Sequence, residues 1–114
     1  MSVLLLFPPA AKICEPPAGI ARLAGALRQK NINCVTIDLN LECLLHCIST
    51  ATAAQDTWSR RAARNRDQHL HDLRTIDIYR QPDRYRRAVK DLNRVVANFN
   101  SSAGPELSLA NYSD

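Results

Sequence analysis

Val3-Leu4-Leu5-Leu6-Phe7 is an unbroken apolar run that Pro8 and Pro9 end. A run of about five apolar residues between turn signals is typical of a strand that is buried on both faces of a parallel sheet. A second apolar run, Cys34-Val35-Thr36-Ile37-Asp38-Leu39, follows later in the chain. The two runs predict two strands of one parallel sheet, each covered on both faces.

The stretch between the two runs, Pro16-Pro17-Ala18-Gly19-Ile20-Ala21-Arg22-Leu23-Ala24-Gly25-Ala26-Leu27-Arg28, predicts a helix. Its apolar side chains recur at i, i+3, i+4 and i+7, at Ile20, Leu23, Ala24 and Leu27. Pro17 suits the first turn, where its missing N–H is no loss. Asn31 suits the left-handed position just after the helix end.

A strand, a helix and a second strand of this length predict a right-handed crossover between parallel strands. Such units bind ligands at the carboxyl ends of their strands. Those ends are residues 8–17 and residues 38–40, so we expect both segments at one edge of the sheet.

The motifs Leu4-Leu5-Leu6-Phe7-Pro8-Pro9, Pro16-Pro17-x-Gly19-Ile20-x-x-Leu23-Ala24-x-x-Leu27 and Val35-Thr36-Ile37-Asp38-Leu39-Asn40 occur together in this order. In this combination the chain resembles the start of the cobalamin-binding domain of B12-dependent radical S-adenosylmethionine enzymes. The resemblance covers about a third of the chain, roughly residues 2–40. The alternative is an ordinary Rossmann-like βαβ unit of unrelated function.

The resemblance implies an α/β fold, an incomplete Rossmann-like (flavodoxin-like) parallel βαβ unit followed by a mainly helical extension. It implies a parent protein that performs methyl transfer or radical chemistry with cobalamin, a 4Fe-4S cluster and S-adenosylmethionine. This chain would be its N-terminal, non-catalytic fragment, with the rest of the parent chain as its partner and no cofactor bound by itself. The implied cofactor-binding residues are Pro8, Pro9, Pro16, Pro17, Asp38 and Asn40; no catalytic or metal-binding residue is expected.

Several features limit that expectation. Residues 8–17 contain no histidine that could ligate cobalt. Cys43 and Cys47 match the first gap of the cluster motif Cys-x-x-x-Cys-x-x-Cys, but Thr50 stands where its third thiolate would be. We therefore expect buried thiols that pack as small apolar groups. A dinucleotide-binding fragment stays open as an alternative, although Gly-x-Gly-x-x-Gly is absent.

Helices are expected over most of the remaining sequence. Apolar spacing predicts one over residues 41–53 with Asn40 as its N-cap, and Asp56 is the expected N-cap of another that runs to about residue 74. A long apolar stripe predicts a third helix over residues 82–100 and indicates core packing. The predicted domains are residues 1–55, the βαβα half, and residues 56–114, the helical extension with a last strand at 107–110.

Charge is concentrated in the helical extension. Residues 56–100 hold eleven Lys or Arg against six Asp, and the whole chain carries a net charge of +4. Because the two signs are interleaved and aromatic residues are few, solvated helix faces with local ion pairs are favoured over a nucleic-acid surface. The alternative function is a small basic helical module that binds nucleic acid or a partner protein.

No signal peptide and no membrane span are predicted from the apolar runs, so a cytoplasmic protein is the expectation. His69 and His71 stand at i and i+2, do not share a helix face and are not expected to bind metal. Unpaired strand edges and the long apolar stripe predict a homo-oligomer, most simply a dimer.

Overall fold

A computed structural model describes residues 1–9, 15–52, 55–100, 106–107, 109 and 112–113. The chain is mostly helical and divides into two compact units, Met1–Leu45 and His46–Asp114. In chain order its elements are β1 (Ser2–Phe7), α1 (Ala18–Gln29), β2 (Asn33–Asp38), α2 (Leu39–Thr50), α3 (Thr57–Leu73), a 3₁₀ turn (Asp77–Arg80), α4 (Pro82–Asn100), β3 (Glu106–Leu107) and β4 (Tyr112–Ser113).

The first unit contains the predicted pair of parallel strands. β1 and β2 pair in parallel from Ser2 opposite Asn33 to Phe7 opposite Asp38. Helix α1 connects the two strands and contacts both of them. The prediction of a parallel strand pair joined by a helix is therefore confirmed.

Helix α1 ends where the sequence predicts. Asn31 has a φ of 55°, in the left-handed region. Its N–H donates to the carbonyl of Arg28, and the N–H of Ile32 donates to the carbonyl of Leu27, both over 3.0 Å. This pair of hydrogen bonds is a Schellman motif, which satisfies carbonyls at the end of the helix and turns the chain into β2.

Within the first unit, the described residues cover one face of the β1–β2 sheet. The thiol of Cys34 lies 3.8 Å from the carbonyl of Ala24 in α1, which places α1 on that face. Apolar side chains on the opposite face are 37–60% exposed, at Leu4, Leu6, Val35 and Ile37. The expectation of strands buried on both faces is wrong for this chain, because its described residues leave the second face without a covering layer.

Helix α2 begins earlier than predicted. Oδ1 of Asp38 accepts a hydrogen bond from the N–H of Leu41 over 3.0 Å, so Asp38 caps the helix and Asn40 does not. The helix ends at Thr50 rather than at Ala53. The boundary between the two compact units falls inside α2, between Leu45 and His46.

The second unit is built on a helical hairpin of α3 and α4, whose predicted bounds are confirmed. Oδ2 of Asp56 accepts a hydrogen bond from the N–H of Ser59 over 2.9 Å, as expected of an N-cap. The stripe on α4 is core, since its central side chains are at most 1% exposed, at Ala88, Leu92, Val95 and Val96. Ala62 of α3 and Ile78 of the 3₁₀ turn, a turn that the sequence analysis missed, are buried too.

The last described residues form a separate two-residue ladder. Glu106 pairs with Ser113, and Leu107 with Tyr112, in an antiparallel arrangement. Of the strand predicted at 107–110, Leu107 belongs to β3 and Leu109 does not, while positions 108 and 110 lie outside the described residues. Leu109 is a bend whose N–H donates to Oδ1 of Asn93. No helix in the described ranges is long and apolar enough to cross a membrane.

Candidate functional site

The carboxyl ends of the two strands lie at the same edge of the sheet. Phe7, the last residue of β1, is paired with Asp38, the last residue of β2. Pro8 follows the end of β1, and Leu39 follows the end of β2, at this same edge. The predicted juxtaposition of the two segments is therefore confirmed for their described parts. Residues 10–14 of the first segment are outside the described residues.

A cleft of about 400 Å³ runs between α1 and β2 at this edge. Its lining is mainly apolar, and Asp38 and Arg28 supply its charged groups. The lining residues are Phe7, Pro16, Pro17, Ala18, Ile20, Ala21, Ala24, Arg28, Thr36, Ile37 and Asp38. A concave, mainly apolar surface with a few polar groups is the usual character of a small-molecule site.

A second cleft, of about 390 Å³, lies between the end of β1 and the start of α1. It is lined by Leu6, Phe7, Pro8, Glu15, Pro16, Pro17, Ala18, Gly19, Ile20 and Leu23. Phe7, Pro16 and Pro17 belong to both clefts, so the two concavities flank the first turn of α1. Among the described residues, no atom beyond the local backbone of the helix would lie within 4 Å of a Cβ built on Gly19, so there is space beside the helix at this position.

The sequence-predicted site residues separate into two groups. Pro8, Pro16, Pro17 and Asp38 line the clefts. Pro9 is exposed and lines neither cleft. Asn40 lies in the first turn of α2, is only 3% exposed, and lines neither cleft.

The second unit holds a buried polar cluster that the sequence analysis missed. Asp91 is 2% exposed, and its Oδ1 accepts a hydrogen bond from the indole Nε1–H of Trp58 over 3.0 Å. Its Oδ2 lies 2.9 Å from Nε2 of His69, and Nη2 of Arg61 is 3.7 Å from Oδ1. One feature of the sequence points to this cluster, since Asp91 interrupts the apolar stripe of α4.

Two opposing effects act on the pKa of Asp91. Burial raises it, but the hydrogen bonds with Trp58 and His69, together with the charges of His69 and Arg61, lower it by more. The pKa of Asp91 is therefore below its ordinary value, and the carboxylate is the form that the native structure favours.

Local ion pairs, which the charge pattern predicts, are present on the hairpin. Nη2 of Arg84 lies 2.9 Å from Oδ2 of Asp72, and Nη2 of Arg94 lies 3.3 Å from Oδ1 of Asp56. The hydrogen bonds from the side chain and the backbone of Ser59, with a contribution from Arg94, lower the pKa of Asp56 to about 2. The hydrogen bond from Gln68 and then the Arg84 guanidinium outweigh desolvation and lower the pKa of Asp72.

The cysteines do not form one class. Cys47 is buried, as expected, but Cys43 is exposed, so the expectation of a buried thiol is wrong for Cys43. Cys34 is half-buried, and Cys14 lies outside the described residues. Among the residues that the structure describes, no group of three His, Cys, Asp or Glu side chains could hold a metal ion.

Comparison with known proteins found no match to a protein-family model, to a curated protein or to a solved structure.

Proposed function

We propose that this chain contributes the first βαβ unit of a Rossmann-like, flavodoxin-like cobalamin-binding domain in a cytoplasmic B12-dependent radical S-adenosylmethionine protein. The supporting observation is the alignment of Phe7 with Asp38 at the carboxyl edge of a parallel strand pair. Open α/β sheets bind their ligands at that edge. The proline pair after β1 and the aspartate at the end of β2 are the motifs on which the sequence resemblance depends.

The residues of the clefts are chemically suited to one wall of a large ring cofactor. Phe7, Pro16 and Pro17 present apolar surface on both sides of the first turn of α1, and Gly19 leaves room beside it. Asp38 adds a carboxylate that its hydrogen bond to Leu41 orients. Bound cobalamin would supply the methyl-transfer or radical chemistry of the parent protein.

The role proposed for this chain is to bind and to position. Residues 8–17 contain no imidazole, so this segment leaves any cobalt ligand to another source. The 4Fe-4S cluster and S-adenosylmethionine belong to a later part of the parent protein in this proposal. Among the described residues, the polar cleft side chains are those of Asp38, Arg28, Glu15 and Thr36, and their neighbours are mainly apolar.

The rest of the parent chain is the proposed partner, and the uncovered sheet face is where it would pack. Leu4, Leu6, Val35 and Ile37 form a continuous apolar patch on paired strand positions. Completing the burial of such side chains contributes about 1 kcal/mol or more each. A doubly wound sheet requires a helical layer on this face.

The test begins with the gene. Its reading frame should continue into a Cys-x-x-x-Cys-x-x-Cys motif within the next few hundred codons, and the complete product, produced with hydroxocobalamin, should retain the corrin absorbance after gel filtration. In the complete product, Gly19→Leu should reduce cobalamin retention by filling the space beside α1, whereas Gly25→Leu, in the same helix but outside both clefts, should not. A complete product without the motif and without bound corrin would overturn the proposal.

A further inference from the structure

A third cleft, of about 370 Å³, lies in the second unit, between α3 and α4. Its lining combines four basic side chains and two carboxylates with one indole: Trp58, Arg61, Asp83, Arg86, Arg87, Lys90 and Asp91. The cations come from both helices, so the cleft is a product of the hairpin and not of one helix face.

The cations of this cleft are available to a ligand. Arg86, Arg87 and Lys90 are exposed or half-exposed, and none of them makes an ion pair or side-chain hydrogen bond within the described residues. Arg61 is 59% exposed, and its 3.7 Å contact is with a carboxylate that Trp58 and His69 already engage. Other arginines of the hairpin have structural roles: Arg66 donates to main-chain carbonyls, and Arg84 and Arg94 pair with aspartates.

Two side-chain contacts hold Trp58 at the side of this cleft. Its Nε1–H is fixed on Asp91, and the guanidinium carbon of Arg94 lies 4.9 Å from its ring centroid. The residue nevertheless remains 44% exposed. A fixed and partly exposed aromatic ring is a surface on which a flat ligand group can stack.

The spacing of Arg86 and Lys90 on α4 does not contribute to the stability of the helix. Arg86 and Lys90 stand at i and i+4, a spacing at which like charges destabilise a helix slightly. They are separated by about 6 Å along the helix axis, and Arg61 adds a cation from α3. Cations spread over this distance on two helices suit a ligand that carries several phosphate groups.

We propose that this cleft binds a segment of single-stranded nucleic acid. Arg61, Arg86, Arg87 and Lys90 contact the phosphates, and Trp58 stacks on a base. Basic grooves with aromatic platforms bind single strands in this way, with little sequence preference. The sequence alone favours solvated helix faces over a nucleic-acid surface. The convergence of these side chains on one cleft favours the binding of single-stranded nucleic acid. This proposal uses none of the residues of the proposed cobalamin site and does not depend on it.

The test uses the complete 114-residue chain and a fluorescein-labelled, mixed-sequence oligonucleotide of about 16 nucleotides at about 50 mM salt. Fluorescence anisotropy should show saturable binding, and Trp58, the only tryptophan of the chain, should be quenched on binding. The double variant R87Q/K90Q should bind at least about tenfold more weakly. Its salt slope should fall by about 1.4, which is about 0.7 for each phosphate that the variant no longer neutralises.

The matched control is R60Q/R64Q, which removes the same charge from exposed positions of α3 that do not line the cleft. It should bind within about twofold of wild type, and circular dichroism should show that both doubles fold as the wild type does. Absence of binding, equal losses in the two doubles, or binding without a change in Trp58 fluorescence would each overturn the proposal. So would a mononucleotide that competes as well as the oligonucleotide.

Discussion

The indole Nε1–H of Trp58 donates a hydrogen bond to Oδ1 of Asp91 over 3.0 Å, which joins the first turn of α3 to the middle of α4. The other carboxylate oxygen is engaged by His69, 2.9 Å away and also on α3. Because Asp91 is nearly inaccessible to water, both of its oxygens depend on these partners. The cluster therefore fixes how the two helices pair.

Asp91→Ala should destabilise the chain by about 3 kcal/mol, because it leaves the Trp58 N–H and the His69 ring without their buried partner. Asp91→Asn should lower the free energy of unfolding by less, since its amide oxygen can still accept one hydrogen bond. Urea unfolding followed by circular dichroism and by Trp58 fluorescence measures both. Asp67→Ala, at a carboxylate of α3 outside the cluster, is the control and should lie within about 0.5 kcal/mol of wild type. An Asp91→Ala variant as stable as this control would show that the cluster is dispensable.

The same carboxylate makes stability depend on pH. The native pKa of Asp91 is lowered from the ordinary value of 3.8, so its stabilising contribution is complete above that value and is lost as pH falls through the native pKa. The difference in unfolding free energy between wild type and Asp91→Asn should therefore narrow as pH is reduced from 7 towards about 2.5. A difference that stays constant over this range would contradict the lowered pKa.

Asn31 supplies a test of the first unit. Its φ of 55° suits glycine and asparagine but strains other residues. Asn31→Ala should destabilise the chain by about 1 kcal/mol, whereas Asn31→Gly should be neutral or slightly stabilising. Amide exchange at Ile32, whose N–H donates to Leu27, gives a local readout and should accelerate in the alanine variant only. Equal exchange in the two variants would remove the conformational explanation.

Periodicity and capping residues predict the bounds of the helices well, but they do not predict which faces of the strands are buried. The bounds of α4, Pro82–Asn100, and the N-cap at Asp56 follow from periodicity and capping chemistry within a few residues. The start of α2 was misplaced because Asp38 both ends β2 and caps the helix. An apolar run reports that a strand needs cover, but it does not report whether the chain supplies it, so the exposure of Leu4 and Val35 was not foreseen.

The candidate sites likewise include one that the sequence predicts and others that depend on the packing of the helices. The edge formed by Phe7 and Asp38 is predictable, because parallel strands joined by a helix place their carboxyl ends together. The pairing of Asp91 with Trp58 joins residues far apart in sequence, and only the packing of α3 on α4 brings them into contact. The same holds for the cations of the third cleft, which periodicity distributes over two separate helices.

Titration of the 114-residue chain alone with hydroxocobalamin should give no tight complex. The two clefts at the carboxyl edge provide one wall, built from Phe7 and its proline neighbours, and residues 8–17 add no histidine. Absorbance should change linearly with added cofactor, without saturation in the micromolar range. Micromolar or tighter saturation would mean that this chain forms a more complete site than we propose.

The uncovered sheet face bears on assembly. The stripe on α4 is already buried within the second unit, so it is not available to a partner as the sequence suggested. Leu4, Leu6, Val35 and Ile37 remain, together with the strand edges of a sheet that has two strands in the described part of the chain. Exposed apolar faces and unpaired strand edges recruit other chains.

The isolated chain should therefore form a homo-oligomer, most simply a symmetric dimer, through this face or an edge of the sheet. Val35→Lys places a charge on the face and should shift the chain to monomer, whereas Ile76→Lys, at an exposed apolar residue outside the sheet, should leave the oligomer intact. Light scattering over a range of micromolar concentrations distinguishes the two variants. A wild-type mass that stays at 12.7 kDa as concentration rises would show that the face remains uncovered in solution.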